Sequence, residues 1–93
     1  MSSFALDVPV DPRYRVLGPE VAGRYVEVLG GGESDRKAFA AAVAEAMATV
    51  ARGAAPDGQI DLKFKTEASG IEVECRCDGR SSVFRHALAA AGR

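Results

Sequence analysis

Tryptophan is absent from this 93-residue chain, cysteine occurs twice, histidine once, and the aromatics are four Phe and two Tyr. The core must therefore rest on few large side chains, Phe4, Tyr14, Tyr25, Phe39, Phe64 and Phe84 with the Leu, Ile and Val around them, because much of the apolar content is Ala. Stability is expected to be ordinary or assisted by a partner. An excess of charge of one sign is also missing. Twelve Lys and Arg against thirteen Asp and Glu leave a formal charge of −1, which removes the broad attraction that a nucleic-acid or anionic-membrane binder needs. No apolar run approaches the ~20 residues of a membrane span. The segment MSSFALDVPVDP has neither the basic start nor the continuous apolar stretch of a secretory signal, so a cytoplasmic location is expected. Cys75 and Cys77, two apart in a strand-like segment, do not have disulfide geometry and read as reduced core residues. One distant His86 adds too few soft ligands for a metal site. A chain of this length holds one core, and residues 1–93 are expected to form a single domain.

Phe4, Leu6, Val8 and Val10 alternate with Ala5, Asp7 and Pro9, the period of a half-buried strand, and Pro9 places that strand at a sheet edge. Asp11-Pro12 offers an N-cap with proline at the first helical position, opening a turn of helix over Arg13 to Leu17. Gly18-Pro19 is expected to interrupt it. Val21, Ala22, Tyr25, Val26 and Leu29 then recur at helical spacing up to Gly30-Gly31-Gly32. A long helix follows from Ser34 or Asp35 to about Arg52, with Phe39, Val43, Ala46 and Val50 on one stripe and Gly53 as its stop. After the Pro56-Asp57-Gly58 turn, Ile60, Leu62 and Phe64 alternate with Asp61, Lys63 and Lys65, and Ile71, Val73, Cys75 and Cys77 alternate with Glu72, Glu74 and Arg76. A four-residue loop, Glu67-Ala68-Ser69-Gly70, sets Lys65 opposite Glu72, Lys63 opposite Glu74 and Asp61 opposite Arg76. It also sets Phe64 against Val73, Leu62 against Cys75 and Ile60 against Cys77. Both faces agree, which fixes the register.

Asp78-Gly79-Arg80 is read as a strand break, with Ser81 or Ser82 capping a last short helix striped by Val83, Phe84, Ala87, Leu88 and Ala91. The expected fold class is α+β, in the order β-α-α-β-β-α, with two helices packed on one face of a small antiparallel sheet. Between Ala38 and Ala51 the only ionisable residue is Glu45, so the long helix must be covered on more than one side, border a cleft, or show its alanines to solvent. Glu45 and Thr49 lie one turn apart on a shared face. His86 has no Ser, Cys or Asp at motif spacing. Gly30-Gly31-Gly32 follows a helix and lacks the Lys-Ser/Thr ending of a phosphate loop. Arg76, Arg80 and Arg85 form a modest basic cluster.

The edge strand leading into Asp11-Pro12-Arg13-Tyr14, the helical pair with its Gly-rich break and the hairpin introduced by Pro56-Asp57-Gly58 resemble the start of the anti-sigma regulatory factor family. These are serine-protein kinases of the GHKL, histidine-kinase-like ATPase superfamily, and the resemblance implies a truncated version of that fold. In the family the second helix carries E-A-x-x-N-A-x-x-H, and the matching residues here are Glu45 and Ala46, with Thr49 in the place of Asn and Gly53 in that of His. Threonine offers one hydroxyl where a carboxamide carbonyl would hold magnesium, a poorer ligand for a cation that demands near-octahedral oxygen coordination. The family's D-x-G-x-G is matched only by Asp78-Gly79-Arg80-Ser81, and its lid has no counterpart.

The resemblance therefore implies a non-catalytic regulatory domain without a cofactor, binding a protein partner such as a sigma factor or an anti-sigma antagonist. The alternative it implies is a serine-protein kinase in which Glu45 is catalytic and Thr49, Asp78 and Gly79 hold Mg-ATP. A third reading is a structural subunit of an unrelated assembly. A three-stranded sheet leaves an unpaired edge, and in the family the first helix and a sheet edge form a homodimer. A homodimer is expected here too, with Tyr14, Tyr25, Phe84 and Leu88 as partner-binding residues; the alternative is that the last helix, through Val83, Phe84 and Leu88, folds back over the exposed side and completes a monomer.

Overall fold

In the computed structural model, residues 3–67 and 70–87 are described. Their order is β1 (Ser3–Pro9), α1 (Pro12–Arg15), α2 (Leu17–Val28), α3 (Glu33–Ala51), β2 (Gln59–Glu67), β3 (Gly70–Cys77) and β4 (Arg80–Ala87). The four strands form one antiparallel sheet in the order β1-β2-β3-β4. Helix α2 touches β1, while α3 lies against β2, β3 and β4. The α+β class and the two helices on one sheet face are as the sequence pattern predicts.

The local signals act through identifiable contacts. The Asp11 carboxylate accepts from the Arg13 backbone N–H at 2.9 Å and caps α1. Pro9 lies in the edge strand β1. Gly18-Pro19, however, does not break a helix. The break falls at Val16, and both residues sit in the first turn of α2, where the N–H that proline lacks would have no intrahelical acceptor. The β2–β3 register is the predicted one: Asp61 faces Arg76, Leu62 faces Cys75, Lys63 faces Glu74, Phe64 faces Val73 and Lys65 faces Glu72. Glu67 also pairs with Gly70, so the strands reach both ends of the expected loop. The facing charges of β2 and β3 are not the ion partners. Glu72 instead lies 3.9 Å from Arg85, its neighbour on β4, and Glu74 lies 3.4 Å from Arg76 on its own strand.

The expected last helix is a strand, and the sheet has four members instead of three. Asp78 and Gly79 have φ of 51° and 81°, the paired positive values of a type I′ two-residue hairpin turn, which Asp-Gly favours. Residues 80–87 then alternate, with Ser82, Phe84 and His86 half-buried and Ser81, Val83, Arg85 and Ala87 exposed. Leu88 and Ala91 of the expected stripe lie outside the described residues.

The core fills the space between sheet and helices. Val8, Val26, Phe39, Val43, Met47, Val50, Ile60, Leu62, Phe64, Ile71, Val73 and Cys75 are all buried. Phe64 stacks on Phe4 at 4.6 Å between ring centroids and meets Tyr25 and Phe39 edge-on at 5.9 and 6.1 Å. One ring thus joins two strands to both long helices, an arrangement favourable beyond the area it buries.

Candidate functional site

The residues singled out for nucleotide chemistry fall on separate parts of this frame. Glu45 and Thr49 are exposed on α3. The Thr49 hydroxyl donates to the Glu45 backbone carbonyl at 3.0 Å, the back-bonding of a threonine within its own helix. Asp78 and Gly79 form the β3–β4 turn instead of a nucleotide loop, and the Asp78 carboxylate accepts from the Ala55 N–H at 3.3 Å. Arg80 donates to the Arg52 carbonyl. Together these two contacts tie the turn to the end of α3. Asp78, Gly79 and Arg80 line a shallow dish of about 290 Å³ with Gln59, Asp61, Arg76, Cys77 and Ser81. Neither Glu45 nor Thr49 reaches it.

The partner-binding candidates also divide. Tyr14 is 44% exposed, with the Arg13 guanidinium 5.5 Å from its ring centroid, and it is followed by exposed Val16 and Leu17. Tyr25 points inward, its ring 4.7 Å from Phe4 and its hydroxyl bonded to Thr66. Phe84 is half-buried, 6.2 Å from Phe39 and opposite Val73. Leu88 is outside the described residues.

His86 lies on β4 beneath the start of α3, not on a short helix. Its ring is 5.3 Å from Phe39, and Nε2 lies 3.5 Å from Asp35 Oδ1 without hydrogen-bond geometry. Burial pushes the Cys75 thiol up to about 11 and also raises Cys77. A thiol so shifted stays protonated and is a poor nucleophile. Among the described residues no group of three or more His, Cys, Asp or Glu converges on a metal position.

Among the described residues, the sheet face away from the helices is uncovered, and it is charged. Its successive rows run Asp7, Asp61, Arg76, Ser81; then Ala5, Lys63, Glu74, Val83; then Ser3, Lys65, Glu72, Arg85. A groove of about 570 Å³ crosses it between Ser3, Ala5, Lys63, Lys65, Glu72 and Glu74. Hydrogen bonding with the neighbouring Asp7 carboxylate, which favours a proton held on Asp61, raises the Asp61 carboxyl above its ordinary value, with desolvation adding to it and Arg76 opposing it. A raised acid binds its proton more tightly in the folded state, so its contribution to stability falls as pH rises through the carboxylate range. Asp61→Asn is therefore expected to stabilise the domain at pH 7 by a few tenths of a kcal/mol, limited by solvent screening. Denaturation midpoints at pH 7 and pH 3 check this, the gain shrinking at the lower pH.

Among the described residues two sheet edges remain, one along β1 and one along β4. Sequence reasoning missed the second because it read those residues as helix; the Asp78-Gly79 turn signal followed by alternating residues was available to find it. No protein-family model matches this sequence, and no curated protein does.

Proposed function

We propose that this chain is a non-catalytic regulatory domain that acts by binding another protein, an anti-sigma-like module that has lost nucleotide chemistry. The observation that carries this reading is the use already made of the would-be ATP residues. The Thr49 hydroxyl is turned back on its own helix, and Asp78 and Gly79 close a hairpin whose carboxylate holds the preceding loop. A nucleotide site would need all three released and brought to Glu45, at the cost of the turn that orders β4. Exposed Tyr14, Val16 and Leu17 at the start of the helical layer supply apolar surface of the kind protein contacts use.

Calorimetric titration with Mg-ATP tests the first half of the proposal, and no saturable heat is expected. A micromolar dissociation constant would overturn it in favour of the serine-kinase reading, with Glu45 as the base. Titration with purified sigma factors of the source cell tests the second half. Binding that Tyr14→Ala weakens by at least about tenfold is expected, and the absence of any complex would leave the sigma connection without support.

A further inference from the structure

The backbone of β4 has a direction that its hairpin fixes. In a two-residue hairpin the residues flanking the turn exchange both backbone hydrogen bonds. Cys77 and Arg80 are that pair, so Arg80, Ser82, Phe84 and His86 direct their N–H and C=O groups at β3. Ser81, Val83, Arg85 and Ala87 direct theirs outward. The Glu67–Gly70 pair obeys the same rule and assigns Ile71, Val73, Cys75 and Cys77 to bond β4, so the two hairpins agree. Extended to β1, the alternation turns Phe4, Leu6 and Val8 toward β2 and leaves Ser3, Ala5, Asp7 and Pro9 facing out.

The two edges are therefore unlike. On β1 the outward set includes a proline with no N–H to offer and the Asp7 carboxylate, two devices by which natural sheets refuse a further strand. On β4 the outward set has no proline, and its one charged side chain, Arg85, lies beside Glu72 of β3. Eight residues present four outward backbone positions, beside a Val83 that is 59% exposed.

We propose that β4 pairs with β4 of a second copy of this chain, antiparallel about Phe84, to make one continuous eight-stranded sheet. This deepens the reading of the domain as one that works by association, and rests on it. Outward residues must meet outward residues, and centring on Phe84 matches Val83 with Arg85 and Ser81 with Ala87 of the second copy, so all four positions of each strand are used. On the uncovered face the row across the junction becomes Lys63, Glu74, Val83, then Arg85, Glu72 and Lys65 of the second copy. Opposite charges adjoin and no like charges meet. On the helix-covered face the two Phe84 rings fall in a non-hydrogen-bonded pair, the closer of the two antiparallel spacings, which covers a ring that one copy leaves half-exposed. Centring on Arg85 would set two guanidinium groups opposite each other. Centring on Val83 would leave Ala87 without a partner.

Sedimentation equilibrium of the full chain, with amide exchange followed by NMR at low and high concentration, tests this. The expected result is a species of twice 9.7 kDa at high micromolar concentration. Exchange at Ser81, Val83, Arg85 and Ala87 should slow at least about tenfold with concentration, while Ser3, Ala5 and Asp7 stay unchanged. Val83→Pro removes the outward N–H and no bond to β3. It should raise the dimer dissociation constant at least about tenfold and leave the circular dichroism spectrum intact. A single 9.7 kDa species, protection of residues 81–87 that does not change with concentration, or a dimer protected elsewhere would each overturn the proposal. If the chain is monomeric yet binds a sigma factor, self-pairing fails while the reading of the domain as a binding module stands.

Discussion

Phe64→Ala is expected to destabilise the domain by about 3–5 kcal/mol, the loss found when a large buried aromatic leaves a cavity. The ring is fully buried and touches Phe4, Tyr25 and Phe39, members of β1, α2 and α3. Removing it loosens four elements at one point, and no neighbour is free to fill the gap because each is fixed by its own strand or helix. Against a total stability of about 5–15 kcal/mol for a typical domain, such a loss brings the protein near unfolding at 37 °C. Lys63→Ala and Lys65→Ala, on the same strand but facing solvent, should each change stability by less than about 0.5 kcal/mol. Urea midpoints of the three variants decide the matter. Comparable losses at Phe64 and Lys65 would mean that the assignment of the two faces of β2 is wrong.

That contrast shows what was legible in the sequence. Residues 60–77 carry two interlocking patterns, apolar alternation and charge opposition, and a one-residue slip would violate both. Few registers satisfy two constraints at once, so pairing could be read off without a structure. Residues 80–87 carry one pattern only, and a weak one. Val83, Phe84, Ala87 and Leu88 fit a helical stripe, while Ser82, Phe84 and His86 fit a strand face. Local propensity does not separate these alternatives, because the decision is made by tertiary context: β3 offers an open ladder on one side, and α3 offers Phe39 and Asp35 above it. The turn chemistry of Asp78-Gly79 was the one local clue favouring a strand.

Much the same physics explains the candidate residues. Tyr25, Phe84 and His86 look alike in a sequence whether they face a partner or their own core, since an aromatic ring, with or without a polar atom, suits either. Their placement follows from which strand covers which helix, information that lies in contacts distant along the chain. Tyr14 differs because the short helix α1 buries none of its residues, so an aromatic there is left at the surface whatever the rest of the fold does. The exposed alanines of α3 belong to the same class. The sequence offers cover, a cleft or solvent for that face, and in the single chain Ala38, Ala41, Ala44 and Ala48 meet solvent while Phe39, Val43, Met47 and Val50 hold the core.

Gly70→Ala should cost roughly 1–3 kcal/mol, the range for overpacking a close contact, or somewhat more. A methyl built on Gly70 meets backbone instead of a flexible side chain. It collides with the His86 carbonyl oxygen and lies 3.1 Å from the Ala87 Cα. Backbone atoms cannot rotate away, so relief requires β4 to shift at its far end, weakening the pairs Gly70–Ala87 and Ile71–His86. The substitution also distinguishes a strand from a helix at residues 80–87. If that segment were helical, Gly70 would sit at an open hairpin end, and alanine there would be neutral or slightly stabilising through its smaller unfolded-state entropy. Thermal denaturation of Gly70→Ala, with Glu67→Ala as a control that removes the half-buried carboxylate paired with Arg85 at 2.7 Å and puts no new atom against β4, separates the two. A Gly70→Ala variant as stable as the wild type would remove β4 from the sheet, and with it the edge on which self-association depends.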